Sequence, residues 1–180
     1  CRCATIPPSI RHHPAVGYWH EQKRLGVFPA LIAAVTDLRT GEFCGVHRIY
    51  LQPGNGAAPV GKVDLADAST GKPLPPKKSL GSIRGCGIAF GEISRRRAVF
   101  VAEGLENVAR AVALTGRAGI ASTGGDNLPL LHLPPAARLV YVLVDPDRAG
   151  KTAARKAADR WSCEGRRVFL VHAPAGADDM

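Results

Sequence analysis

No apolar run in these 180 residues approaches the ~20 needed to span a bilayer, and no basic-then-apolar leader opens the chain. Neither a membrane span nor a secretory signal is therefore expected. Paired cysteines are lacking too. The five present (Cys1, Cys3, Cys44, Cys86, Cys163) are odd in number and scattered, which argues against a disulfide framework and fits a reducing cytoplasm. Cys1-x-Cys3 has the form of the tail of a zinc ribbon, but no second pair stands at ligand spacing. His12-His13 and Trp19-His20 lack such partners as well and read as packing or loop residues. There is no internal repeat. The chain starts at Cys1 and stops after Asp179-Met180, and it reads as a piece of a longer protein.

What the chain has in excess is positive charge, and all but a little of it lies in one half. The formal net charge is +9. Residues 1–97 hold 14 Lys/Arg against 6 Asp/Glu, whereas residues 98–180 hold 10 against 9. A basic surface is the electrostatic footprint of a nucleic-acid or nucleotide partner, although solubility alone explains such charge equally well.

The two halves also differ in periodicity. Residues 27–36 are apolar, a turn follows at Leu38-Arg39-Thr40-Gly41, and residues 43–51 alternate, which predicts an antiparallel hairpin. Residues 53–76, rich in Gly, Pro, Ala and Asp, read as a long loop, and residues 86–90 as a short strand. The second half alternates strand and helix: strands at 98–102, 119–122, 139–144 and 167–173, helices at 105–115 and 148–164, and a brief helix at 127–131. Residues 139–144 (LVYVLV) are apolar throughout, as in a central parallel strand covered on both faces. This order predicts a parallel, doubly wound α/β sheet with right-handed crossovers.

Three acidic islands stand where these strands run out: Glu103; Asp145 and Asp147; Asp178 and Asp179. Carboxylates at the carboxyl ends of parallel strands converge on one crevice. A Glu with an Asp-x-Asp there is a hard, oxygen-rich donor set suited to Mg²⁺ or Mn²⁺. Gly104 would let the chain turn sharply and expose Glu103, and Asp147 also stands where an N-cap of the next helix belongs. Glu106 reads as a solvated helix residue or a supporting carboxylate. Gly124-Gly125 could bring backbone N–H groups to a phosphate. His47, Arg48, Lys77, Lys78 and Arg84 in the first half, with Lys151 and Arg155 in the second, are the basic candidates for nucleotide or DNA binding; each of the first five taken singly reads first as surface charge, and the last two read equally well as a solvated helix face.

The stretches VAEGLENVARAVALTG, LVDPDRAGKTAARKAADRW and PAGADD resemble the Toprim region of DnaG-like primases from phages, plasmids and other mobile elements. IRHHPAV, PALIAAVTD, GVHRIYL and PKKSLGSIRG resemble the segment that precedes it. The resemblance implies a β-rich α+β subdomain (1–94) followed by a Rossmann-like Toprim domain (95–180) truncated at its end. It implies Glu103 as the acid/base or metal-orienting carboxylate, Asp145 and Asp147 as Mg²⁺ ligands, and Asp178 or Asp179 as the last acidic position. Where the family often has Asp-Asn-Asp, this chain has Asp-Pro-Asp. The implied activity is Mg²⁺-dependent synthesis of RNA primers on single-stranded DNA from NTPs, with zinc-binding and helicase regions elsewhere in the full protein. A Toprim nuclease and a non-enzymatic nucleic-acid-binding module are the alternatives.

Overall fold

The computed structural model describes residues 7–54 and 61–172. Seven strands come first: β1 (Ile10–His20), β2 (Lys23–Thr36), β3 (Phe43–Tyr50), β4 (Leu65–Ala66), β5 (Pro73–Leu74), β6 (Lys77–Gly81) and β7 (Ile88–Phe90). Then follow β8 (Val99–Ala102), α1 (Leu105–Thr115), β9 (Gly119–Ala121), β10 (Leu139–Val144), α2 (Arg148–Cys163) and β11 (Arg167–His172). The first sheet is antiparallel, in the order β1-β2-β3-β6. The second has the order β11-β10-β8-β9-β7 and is parallel except for the edge strand β7, which runs against β9. Residues 7–94 hold no helix among those described.

The hairpin expected from residues 27–51 is the β2–β3 pair. Its turn is fixed by Asp37, which accepts hydrogen bonds from the Arg39 backbone N–H (2.8 Å) and guanidinium (2.9 Å). β1 and the first residues of β2 are additions that the sequence does not announce. Pro14 interrupts β1, but it sits where the register shifts between His13 and Val16 on an edge strand, the place a sheet tolerates proline. The β1–β2 turn has Glu21 and Gln22 at positive φ (45° and 65°) instead of the Asn-Gly that such a turn favours.

The long loop expected over residues 53–76 is partly built. β4 and β5 pair into a ribbon, and Asp67 holds its tip by accepting from the backbone N–H groups of Ser69 (2.9 Å) and Thr70 (2.8 Å). Val63 and Leu74 are buried against Tyr18 and Tyr50, which gives this segment a small core of its own.

The second sheet is covered on both faces. α2 packs on β8 and β10 through Ala154, Ala157 and Trp161, all fully buried with Val99, Val101, Val140 and Val142. α1 covers the other face through Leu105 and Val108 in a cluster that also contains Ala33, Val35 and Ile49 of the first sheet. The two sheets therefore share one apolar cluster. Gly119 marks how close α1 comes to β9, since a Cβ there would lie 2.4 Å from Val108 Cγ1.

Trp161 fills the layer between α2 and the sheet, and its indole N–H donates to the Leu131 carbonyl at 3.3 Å. Trp161→Ala should cost about 3–5 kcal/mol by cavity formation. Denaturant unfolding followed by far-UV circular dichroism measures this, and a loss below about 1 kcal/mol would contradict the packing described.

Candidate active site

β8 and β10 are adjacent and parallel, with Val142 opposite Val101. Their carboxyl ends are therefore level, and Glu103 and Asp145, the first residues past each strand, meet across a crevice of about 800 Å³. Asp147 stands on the same rim and caps α2, accepting from the Gly150 N–H at 2.6 Å. Gly150 is obligatory, since a Cβ would lie 2.7 Å from the Asp145 Cβ. Asn107, on the first turn of α1, donates to Asp145 Oδ1 at 3.0 Å.

Glu103 is half-buried, and its pKa is raised above the ordinary value by burial and then by the charge of Asp145, with Asp147 adding to it. The Gly125 N–H opposes this shift by donating to the carboxylate. The Gly124-Gly125 pair thus serves Glu103: a Cβ on Gly125 would lie 2.8 Å from Glu103 Oε2. Gly104, by contrast, has φ −88° and ψ 142°, extended backbone that any residue adopts, so no special turn is made there. Thr123, beside Gly124 on the crevice wall, is held at φ 67°, and its buried hydroxyl has no hydrogen-bond partner among the described residues.

The opposite wall comes from the first sheet and from the segment after β3: His47, Lys62, Lys77 and Ser79. Glu106 reaches across to it. Its Oε1 lies 2.9 Å from both Lys62 Nζ and Lys77 Nζ. Burial would raise the pKa of Glu106, but the hydrogen bonds from Lys77 and Lys62 prevail and bring it down to about 2. His47 lies 2.9 Å from Ser79 Oγ through Nδ1, and burial, followed by the charge of Lys77, lowers its pKa to about 4.

Of the basic residues expected at the crevice, His47 and Lys77 line it and the others stand elsewhere. Strand alternation turns Arg48 and Lys78, a cross-strand pair, to the opposite face. There Arg48 lies over the Tyr50 ring, while Lys78 lies over the Tyr18 ring and donates to the Trp19 carbonyl. Arg84 is exposed in the β6–β7 connection. Lys151 and Arg155 line a separate groove between α2 and β11. His20 is bound to Asp67 Oδ2 at 3.2 Å. Asp178, Asp179, Cys1 and Cys3 lie outside the described residues. Lys62, Ser79, Asn107 and Thr123 are the crevice residues that sequence reasoning missed. Only Asn107 carried a signal, its place one turn past Glu103 in the Glu-Gly-Leu-Glu-Asn run.

Among the described residues no three His, Cys, Asp or Glu side chains are drawn together closely enough to form a metal cluster. The donor chemistry nevertheless fits a hard divalent cation. All the donors are carboxylate oxygens, and the field of Asp145 and Asp147 at Glu103 is the repulsion that a cation relieves. A crevice at strand carboxyl ends, lined by such carboxylates and faced by lysines, has the donor set to take a divalent cation and the opposite charge to face an anion.

The family comparisons make this specific. Residues 1–90, half of the chain, match the model of a domain of unknown function (DUF7146), and the chain belongs to that family. Residues 98–180 match the Toprim domain, and those described have its fold, a largely parallel sheet flanked by helices. Toprim domains occur in primases, nucleases and topoisomerases and bind Mg²⁺ through acidic residues. No curated protein matches the chain. Among the described residues no helix is long and apolar enough to cross a membrane.

Two outcomes test the site. Gly125→Ala should push the Glu103 carboxylate aside while leaving the fold intact, because the atom it meets is the end of a flexible side chain. Mn²⁺ affinity, read by the electron spin resonance of the free ion, should fall about 10-fold, and unchanged affinity would remove Glu103 from the donor set. The second outcome follows from His47. Its folded pKa of about 4 lies below the ordinary 6.5, so between those values the unfolded chain binds the extra proton. His47 therefore adds stability that is whole above pH 6.5 and is lost as pH falls to about 4. Glu106 adds a second component, present above 4.5 and lost as pH falls to about 2. Thermal melts across pH 7 to 4 should show Tm falling, and His47→Gln should flatten that slope.

Proposed function

We propose that this chain is the core of a DNA primase, synthesising RNA primers on single-stranded DNA by metal-dependent nucleotidyl transfer during replication of a mobile element. The observation that carries the reading is one crevice with two walls of opposite sign. Glu103, Asp145 and Asp147 stand on one side, and Lys62 and Lys77 on the other. When bound, Mg²⁺ or Mn²⁺ supplies activation of a 3′-hydroxyl and neutralisation of charge on the α-phosphate. Asp145 and Asp147, with Glu103, would hold it. Asn107 and the Gly125 N–H keep two of these carboxylates oriented, and Glu103, the first residue past β8, would be the carboxylate that takes the proton of the attacking hydroxyl.

Lys62 and Lys77 are paired with Glu106, and a triphosphate entering the crevice would exchange Glu106 for its own oxygens. The basic excess of the first half supplies further phosphate contacts, which position a template without reading its sequence. Zinc-binding and helicase regions elsewhere in the full protein complete this reading.

Template-dependent incorporation of labelled NTPs with Mg²⁺ or Mn²⁺ is the test. Asp145→Ala should lower primer synthesis at least about 100-fold. Lys77→Ala should mainly raise the KM for NTP, by about 10-fold. Cleavage of the template would instead support a Toprim nuclease, and binding without turnover a nucleic-acid-binding module. If Glu103→Ala and Asp145→Ala both left activity intact, the site assignment itself would be wrong.

A further inference from the structure

Cys44 and Cys86 lie far apart in the sequence, yet their sulfurs are 2.7 Å apart, with the Cys86 thiol directed at Cys44. That is well inside the ordinary contact distance of two unbonded sulfurs, and ~0.7 Å beyond the ~2.05 Å of a disulfide bond. Both residues belong to the apolar cluster that the two sheets share. Cys44 is the second residue of β3, and Cys86 stands two residues before β7.

Backbone contacts hold the two sulfurs in place from both sides. On one side Gly45 pairs with Gly81, and neither tolerates a Cβ, which would lie 2.2 Å from the Leu80 carbonyl oxygen or 2.4 Å from that of Cys44. On the other, Gly87 and Thr36 exchange both backbone hydrogen bonds at 3.0 Å. The Cys86 N–H donates to the Ile83 carbonyl at 2.9 Å, and the Cys86 carbonyl accepts from the Asn127 side chain at 2.9 Å. Access is unequal. Cys86 is 6% exposed, whereas Cys44 is half-buried. Burial, and then the hydrogen bond with Cys44, pushes the Cys86 thiol up, and the more exposed Cys44 is the sulfur that meets a reagent first.

We propose that Cys44 and Cys86 form a redox-active dithiol which small-molecule disulfides oxidise to an intramolecular bridge, stapling the first sheet to the Toprim sheet. The Cys44 thiolate attacks one sulfur of the reagent disulfide, forming a mixed disulfide and releasing one thiolate. Cys86, losing its proton to that departing thiolate, attacks the Cys44 sulfur and displaces the second. The protein gives up two electrons and two protons, and the reagent leaves as two thiols. The bridge closes a loop that contains the rest of β3, the β4–β5 ribbon and β6, so oxidation fixes how the wall bearing His47, Lys62 and Lys77 sits against the carboxylates. The inference rests on the sulfur geometry and stands apart from the proposed primase activity.

The test uses the reduced chain incubated in glutathione buffers of rising oxidised fraction, quenched with iodoacetamide and digested with trypsin. Cleavage after Arg39, Arg48, Arg84 and Arg95 isolates the two cysteines in the peptides 40–48 and 85–95. The expected result is a linked pair of these peptides, reversed by dithiothreitol, and a Tm about 5–10 °C higher in the oxidised protein. Cys44→Ser should abolish the link while leaving the reduced protein folded. Cys86→Ala provides a second check from the buried side. Exposed Cys163 reports in the same sample that the oxidant is competent. Glutathionylated Cys163 with peptides 40–48 and 85–95 unlinked, or Cys44 arrested as the mixed disulfide, would overturn the proposal.

Discussion

Glu103, Asp145 and Asp147 repel one another, and the placing of the surrounding elements turns on keeping them together. Each carboxylate is met by a donor from a neighbouring element. The Gly125 N–H serves Glu103, the Asn107 amide serves Asp145, and the Gly150 N–H at the start of α2 serves Asp147. Two of those contacts require glycine. A side chain at Gly125 would strike Glu103, and one at Gly150 would strike Asp145. The turn after β9 is braced in the same way. Asn127 donates to the Ser122 and Cys86 carbonyls and accepts from the Gly85 N–H, tying the loop beside Glu103 to the segment that leads into β7. Like-charge repulsion is thus met by fixed local dipoles, and a cation would relieve what remains.

This constraint explains why the first sheet is needed. The second sheet alone carries carboxylates and little positive charge near them, since Lys151 and Arg155 face a different groove. The shared apolar cluster sets β3 and β6 with one face toward α1. His47 and Lys77 then arrive on that face, and the β3–β4 connection delivers Lys62 beside them. His47, Lys62 and Lys77 of the basic half and Glu103, Asp145 and Asp147 of the second half thus form two walls of one crevice.

Much of this was legible in the chain. The strand–helix alternation after residue 98 placed the four described parallel strands and both helices, because each has the periodicity of its kind, and the ends of β8 and β10 coincide with Glu103 and Asp145. Alternation in β3 and β6 also carried information that a list of basic residues conceals. His47 and Arg48 are neighbours in an extended strand and cannot face one crevice, and the same holds for Lys77 and Lys78. Lys62 was not legible. It stands in a Gly-, Pro- and Ala-rich stretch with no period, and only the folding of that stretch onto Tyr18 and Tyr50 fixes where it points. Nor was β1, whose proline and glycine-free turn contradict local preference and are tolerated because tertiary pairing and an edge position outweigh it.

The Glu106 bridges show how a site can be ordered and still exchangeable. Lys62, Lys77 and Glu106 each keep a third or more of their side-chain surface in solvent, at 48%, 34% and 42%. Pairs this exposed contribute roughly 0.2–1 kcal/mol each, discounted further by salt. That is enough to hold two lysine ammoniums in the crevice against their own repulsion, and too little to resist a polyphosphate carrying several negative charges. Burying the same three groups fully would have made removal of either partner cost several kcal/mol and locked the crevice shut. Partial exposure lets Glu106 occupy the place of an anionic ligand without excluding one, and a phosphate ligand of the kind proposed would find the lysines already positioned.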